Sequence, residues 1–147
     1  MEQATIWVDA PPERVWKLIS DPTRYGEWSL ENQGGTWKSP PGPGAQFKGR
    51  NKRGLARWAT TCTVTDYQAP SRFTFEVHES AMRWGYILEP RDGGTTVTEF
   101  AEQIGRPILS SRIALGSGVA GRDRVAIRMA NIDATLAAVK KAAESRA

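Results

Sequence analysis

The chain is poor in the side chains that cross-link proteins and bind metals. It has one cysteine, Cys62, and one histidine, His78, among 147 residues. A single cysteine excludes an internal disulfide and is typical of a reducing compartment. These two soft ligands are also too few for a tetrahedral zinc site of the usual kind. We therefore expect no metal and no resident cofactor.

Long apolar runs and strong net charge are lacking as well. No segment approaches the ~20 apolar residues of a membrane-spanning helix, and no basic leader precedes an apolar run. The formal net charge of +4 is mild, and 39% hydrophobic and 24% charged residues are ordinary values. We expect a single soluble domain over residues 1–147, located in the cytoplasm and without a membrane partner.

Tryptophan is the residue that the chain has in excess. Six tryptophans in 147 residues are more than ordinary packing uses. Their large flat side chains, each with one polar edge, make good walls for a pocket that holds flat or apolar ligands. The composition therefore favours a protein that binds a small molecule.

Strand and helix signals follow one another in a simple order. Thr5–Asp9 predicts a first strand, and two short helices follow, the second over Pro22–Glu27. A long amphipathic helix, Val119–Glu144, closes the chain. Between them lie strand-like segments joined by short turns, at residues 34–38, 46–50, 55–67, 73–78, 82–89 and 95–104. Such turns favour antiparallel neighbours.

These elements predict an α+β fold. A twisted antiparallel sheet of about six to seven strands tends to curl, and the long C-terminal helix is expected to close its concave side. The opening IWVDAPPERVWKLISDPTRYGEW resembles that of the START-like or Bet v 1-like (SRPBCC) helix-grip superfamily, in its polyketide cyclase/dehydrase group. Similar segments cover nearly the whole chain, at residues 41–54, 57–77 and 83–99 and in the final helix.

The resemblance implies a deep cavity between the sheet and the C-terminal helix. The first function it implies is binding of a hydrophobic, aromatic or polyketide-like small molecule. The second is that of a cofactor-independent polyketide aromatase or cyclase. The third is that of a sacrificial resistance protein, which traps a reactive metabolite such as an enediyne. The individual motifs are typical of the architecture and do not name a ligand.

Alternation along the strands predicts which side chains face this cavity, because successive residues of a strand point to opposite faces. In the segment from Trp58 to Val64, for example, we place Trp58 and Cys62 inward. The residues expected to line the cavity from the sheet are Trp37, Phe47, Trp58, Cys62, Phe73, Phe75, Trp84 and Tyr86. From the helix, we expect Met129, Ile132 and Leu136 to form its lid.

Catalytic residues are less well indicated by the sequence. Tyr86 is the weak candidate, because a buried phenol needs a polar partner that a ligand carbonyl can supply. Arg112 and Glu102 are further candidates, although solvated charges explain both. His78 is predicted to point outward, so a serine-type triad has no support. Cys62 is read as a small core residue, because burial raises a thiol pKa.

Two further patterns bear on ligands and partners. GSGVAG matches the spacing of a nucleotide fingerprint but lacks the strands that the fingerprint requires. We instead predict that Gly116, Gly118 and Gly121 form a gate at the cavity mouth, and they are the cleavage points in the resistance hypothesis.

Basic residues cluster at a predicted hairpin, without the interleaved aromatics that single-stranded nucleic acid requires, so no nucleic-acid partner is expected. Docking of an acyl carrier protein there stays open. The residues are Lys48, Arg50, Lys52, Arg53 and Arg57.

Overall fold

The computed structural model describes residues 1–108 and 124–145. Its elements follow the predicted order. The strands are β1 (Glu2–Val8), β2 (Asn32–Trp37), β3 (Gln46–Arg53), β4 (Ala56–Gln68), β5 (Arg72–Val77), β6 (Met82–Arg91) and β7 (Gly94–Gln103). The helices are α1 (Pro12–Ile19), a 3₁₀ helix (Pro22–Glu27) and α2 (Arg124–Glu144).

The strands form one seven-stranded sheet in the order β1-β7-β6-β5-β4-β3-β2. Every neighbouring pair is antiparallel. The predicted α+β helix-grip class, with a curved sheet and a long C-terminal helix, is confirmed. None of the helices within residues 1–108 and 124–145 is long and apolar enough to cross a membrane.

Strand boundaries differ from the predicted ones by a few residues. We predicted that β3 ends at Arg50, but its pairing with β4 continues until Arg53 faces Ala56. The hairpin tip is correspondingly shorter than predicted. Gly54 has a φ of 60°, the left-handed conformation that glycine adopts without strain and that such a tight turn uses.

Helix α1 covers one end of the sheet. Pro11 precedes it in an extended conformation, and its apolar face buries Val15, Trp16, Leu18 and Ile19. Trp16 packs edge-on against Tyr67, with ring centroids 5.2 Å apart. This end of the domain is therefore a filled core.

Helix α2 divides into two parts with different roles. Its apolar stripe, which contains Ile132, Leu136 and Val139, is buried in the hydrophobic core. Near its C-terminus, Lys140 donates to the Trp7 carbonyl oxygen at 2.8 Å, which ties α2 to β1. The N-terminal part of α2 instead faces the open end of the sheet.

Candidate functional site

A cavity of about 440 Å³ lies at the open end of the sheet, between the sheet, α2 and the segment after the 3₁₀ helix. Aromatic side chains from four strands form its apolar wall. Phe47 and Phe75 meet edge-to-face, with centroids 5.1 Å apart. Strands β3 to β6 supply Phe47, Trp58, Cys62, Phe75, Trp84 and Tyr86, all of which we expected to line the cavity.

The other sheet residues of the expected set lie elsewhere. Phe73 is fully buried and packs against Trp16, with centroids 6.1 Å apart, because α1 covers that end of the sheet. Trp37 is on the edge strand β2 and packs behind Phe47, with ring centroids 5.4 Å apart. Strand phase alone does not separate these positions, because it reports the face and not the place along the strand.

The expected lid residues of α2 are also placed differently. Ile132 and Leu136 are buried core residues, and Met129 packs against that core. The cavity is lined instead by Arg124, Arg128, Asn131 and Thr135, spaced three and four residues apart along the helix. We had assigned the apolar stripe to the cavity, whereas the neighbouring polar stripe occupies it. The expected gate glycines Gly116, Gly118 and Gly121, and the candidate Arg112, lie outside the described residues.

Glu99 is a buried cavity residue that sequence reasoning missed. It lies directly opposite Tyr86 in the pairing of β6 with β7, lines the cavity, and is only 4% exposed. Burial raises the pKa of Glu99 well above its usual range, although hydrogen bonding to Tyr86 partly opposes this. Burial therefore favours the protonated, uncharged form of this carboxyl. The signal was a glutamate in the inward phase of β7, between Val97 and Ala101.

The acidic residue that the sequence analysis considered, Glu102, has a different setting. It is on the other face of β7 and forms an ion pair with Arg83 at 3.5 Å. His78 is exposed, as predicted. No group of three or more metal-ligating side chains occurs within residues 1–108 and 124–145.

Tyr25, Tyr86 and Cys62 are neutral groups in the cavity wall. Burial raises the pKa of both tyrosines well above the usual value. The Tyr25 hydroxyl donates to the Ile19 carbonyl oxygen at 2.6 Å, which fixes its ring beside Tyr86. Burial also raises the pKa of the Cys62 thiol to about 12, so this side chain is protonated and is not an activated nucleophile.

Trp28 contributes the other polar edge of the cavity. It follows the 3₁₀ helix and is 7% exposed. Its indole Nε1–H has no hydrogen-bond partner among the described residues, and the same holds for Oε1 of Glu99. Both side chains line the cavity.

Ionic and amide contacts connect the segment after Trp28 to the first turns of α2. Glu31 pairs with Arg124 at 3.0 Å. The Asn131 side-chain oxygen accepts from the Ser29 hydroxyl at 2.9 Å and from the Leu30 amide at 3.0 Å. These contacts hold α2 over the cavity.

The sequence matches one family model over residues 3–144, and that family is described as polyketide cyclase/dehydrase and lipid transport. No curated protein matches the chain. The match to the family model spans almost every element that surrounds the cavity.

Solved structures share the fold. A Polyketide_cyc-like protein from Corynebacterium glutamicum is 29% identical, with 96% of this chain and 89% of that chain covered and a TM-score of 0.63. The di-domain ARO/CYC protein StfQ of the steffimycin biosynthetic pathway is 13% identical, with a TM-score of 0.69. That comparison covers 98% of this chain but only 44% of StfQ. At this identity, the likeness to StfQ shows the fold alone.

Proposed function

Because this chain belongs to the polyketide cyclase/dehydrase and lipid transport family, we propose that it binds a hydrophobic small molecule between the sheet and α2. The observation that carries the proposal is the cavity of about 440 Å³ with its aromatic wall. Protein cores contain few voids larger than a water molecule. Ligand sites, in contrast, commonly enclose roughly 300–1,000 Å³ with mostly apolar walls and a few polar groups.

Replacement of a cavity tryptophan tests this proposal. We expect Trp84→Ala to weaken binding of the neutral fluorophore N-phenyl-1-naphthylamine about tenfold, because a large aromatic contact of ~1.4 kcal/mol is lost. Fluorescence titration of the purified protein measures the dissociation constant. Trp7→Ala is the control, because Trp7 lies outside the cavity and its Nε1 donates to the Arg91 carbonyl oxygen. Equal losses in the two variants would contradict the placement of the site.

A second candidate function is cofactor-independent cyclisation of a polyketide. The observation that favours it is the buried Glu99 carboxyl, whose pKa is raised, directly across from Tyr86 in the cavity. A proton donor at a ketone oxygen makes the adjacent carbon–hydrogen bond more acidic, which ring closure between two ketone units requires. Tyr86 and Glu99 supply donors of this kind without a metal.

The enzyme candidate is tested with Tyr86→Phe. We expect turnover of a linear poly-β-ketone to aromatic product to fall by about 100-fold or more, because the proton donor is lost. Fluorophore binding should stay within about threefold of the unmodified protein, since the aromatic ring is kept. Turnover is followed by absorbance of the aromatic product. Unchanged turnover would show that Tyr86 is not the proton donor. If the unmodified protein gave no turnover, the cyclase function would be contradicted and only the binding function would remain.

Two other functions considered in the sequence analysis stay predictions. The sacrificial resistance hypothesis depends on glycines outside the described residues. Docking of an acyl carrier protein depends on the basic hairpin, whose Lys48, Arg50 and Lys52 are exposed. Arg57 and Trp58, on the adjoining strand, line the cavity. A ligand delivered by a partner bound there would therefore arrive next to the cavity.

A further inference from the structure

Two buried polar atoms in the wall of the cavity have no hydrogen-bond partner within the part of the chain that the structure describes. They are Nε1 of Trp28 and Oε1 of Glu99. Buried polar side-chain atoms in native proteins are nearly always paired, because each unpaired one destabilises the fold. The only two such atoms among residues 1–108 and 124–145 belong to side chains that line one cavity. This coincidence indicates a ligand that forms a hydrogen bond with each of the two atoms.

The chemistry of the first atom is fixed by its side chain. An indole Nε1–H donates a hydrogen bond and cannot accept one. Trp28 is held in place by its backbone amide, which donates to the Tyr25 carbonyl oxygen at 3.1 Å, and by Arg24, whose guanidinium lies 5.1 Å from the ring centroid. The ligand atom that Trp28 meets must therefore be an acceptor.

The chemistry of the second atom follows from its neighbour. Tyr86 and the Glu99 carboxyl hydrogen-bond each other, and as uncharged groups they have two O–H protons between them. One proton forms the bond between the two side chains, so the other is left for the ligand. The unpaired Oε1 places this second donor on the Glu99 carboxyl.

Two of the three described arginines that line the cavity are paired with carboxylates, and the third, Arg57, is exposed. Arg124 pairs with Glu31, and Arg128 pairs with Glu2. Tyr25 and Tyr86, which lie closest to Glu99, have pKa values raised by burial and carry no charge at neutral pH. A ligand carboxylate beside Glu99 would be desolvated without a cationic partner, which is costly.

We propose that the cavity selects an uncharged aromatic ligand with two acceptor oxygens, such as a quinone or diketone, one bound by Trp28 and the other by Glu99. This inference rests on the proposed binding function and identifies the two residues that set its specificity. Aromatic rings of the wall contact the apolar body of the ligand, whereas Trp28 and Glu99 determine which polar groups it carries.

The test compares diones with the hydrocarbons of the same ring shape. The pairs are 2,3-dimethyl-1,4-naphthoquinone with 2,3-dimethylnaphthalene, and 9,10-anthraquinone with anthracene. Each compound displaces N-phenyl-1-naphthylamine from the unmodified protein and from Trp28→Phe, Glu99→Leu and Glu99→Gln. Fluorophore binding and a thermal melt of each variant report whether its cavity is intact.

We expect the unmodified protein to bind at least one dione about tenfold more tightly than its hydrocarbon. Trp28→Phe and Glu99→Leu should each reduce that preference about fivefold, because each loses one hydrogen bond. Glu99→Gln should keep the preference within about threefold, since its amide still donates. The same preference in all four proteins, or none in the unmodified protein, would overturn the inference.

A measurement on the unmodified protein covers the case in which a variant does not fold. The Trp28 indole proton resonance should move downfield when the dione binds and not when the hydrocarbon binds. An equal response to both compounds would overturn the role of Trp28. Absence of any fluorophore binding would instead contradict the proposed function itself, so the two failures are distinguishable.

Discussion

Phe73→Ala should destabilise the protein by roughly 3–5 kcal/mol, whereas Phe75→Ala should cost about half as much. Phe73 is fully buried and packs on Trp16 and Tyr67, so its removal leaves a new hole in a filled core. Phe75 already borders the cavity, and its removal enlarges an existing space. Urea unfolding followed by circular dichroism measures both free energies of unfolding.

Ligand binding should show the opposite ranking for these two neighbours. Phe75→Ala is expected to weaken N-phenyl-1-naphthylamine binding by roughly five- to tenfold, because a wall contact of ~1–1.4 kcal/mol is lost. Phe73→Ala, in the fraction that remains folded, should bind within about threefold of the unmodified protein. If the two variants lost stability and affinity to the same extent, the division into a filled core and an open cavity would be wrong.

The second large effect is a dependence of stability on pH that originates at Glu99. The pKa of Glu99 is raised in the folded protein, while in the unfolded chain it is near its usual 4.5. Below the lower value both states are protonated, and above it only the unfolded state loses the proton. The free energy of unfolding should therefore fall as pH rises towards the folded pKa, by up to about 1.4 kcal/mol per pH unit.

Glu99→Gln should remove this slope, because glutamine does not titrate. Measured between about pH 5 and about pH 8, the difference in unfolding free energy between Glu99→Gln and the unmodified protein should therefore grow with pH for as long as the folded protein keeps the Glu99 proton. The pKa of Cys62 is also raised, but its titration lies above this window. Taking the difference between the two proteins cancels the contribution of all other groups.

Glu102→Gln is the matched control for that experiment. It makes the same chemical change on the same strand, but Glu102 lies on the opposite face with Arg83. It therefore reports the effect of the chemical change itself on the pH dependence. Equal slopes for Glu99→Gln and Glu102→Gln would contradict the raised pKa of Glu99.

The sheet half of this architecture could be predicted from the sequence because its signals are local. Alternation placed Trp58 and Cys62 on the concave face. The turn from β6 to β7 contains Asp92-Gly93, a pair typical of hairpins, and both residues have positive φ. The family resemblance then placed the long helix against the concave face. Strand phase depends only on the pleat, so no knowledge of distant contacts was required.

The helix half of the cavity could not be predicted in the same way. Apolar periodicity showed which face of α2 is buried, but it did not show that this face meets the filled core. Arg124 and Asn131 line the cavity because they contact Glu31, Ser29 and Leu30, about a hundred residues earlier in the chain. No local sequence pattern predicts such contacts between distant segments.

Glu99 shows a different kind of limit. Its inward phase on β7 was available from the sequence, yet glutamate is almost never fully buried, so its residue type predicts an exposed, charged side chain. Whether an inward glutamate is charged depends on what surrounds it, and here the cross-strand partner is Tyr86. That pairing requires the register of β6 against β7, which the hairpin turn fixes only once its type is known.

A ligand site between the sheet and α2 is tested by the indole region of a ¹⁵N–¹H NMR spectrum, recorded while N-phenyl-1-naphthylamine is added. The chain has six tryptophans, and only Trp28, Trp58 and Trp84 line the cavity. We expect these three indole signals to shift in a saturable way, while those of Trp7, Trp16 and Trp37 stay in place. Shifts confined to the second group, or none in the first, would contradict a ligand site between the sheet and α2.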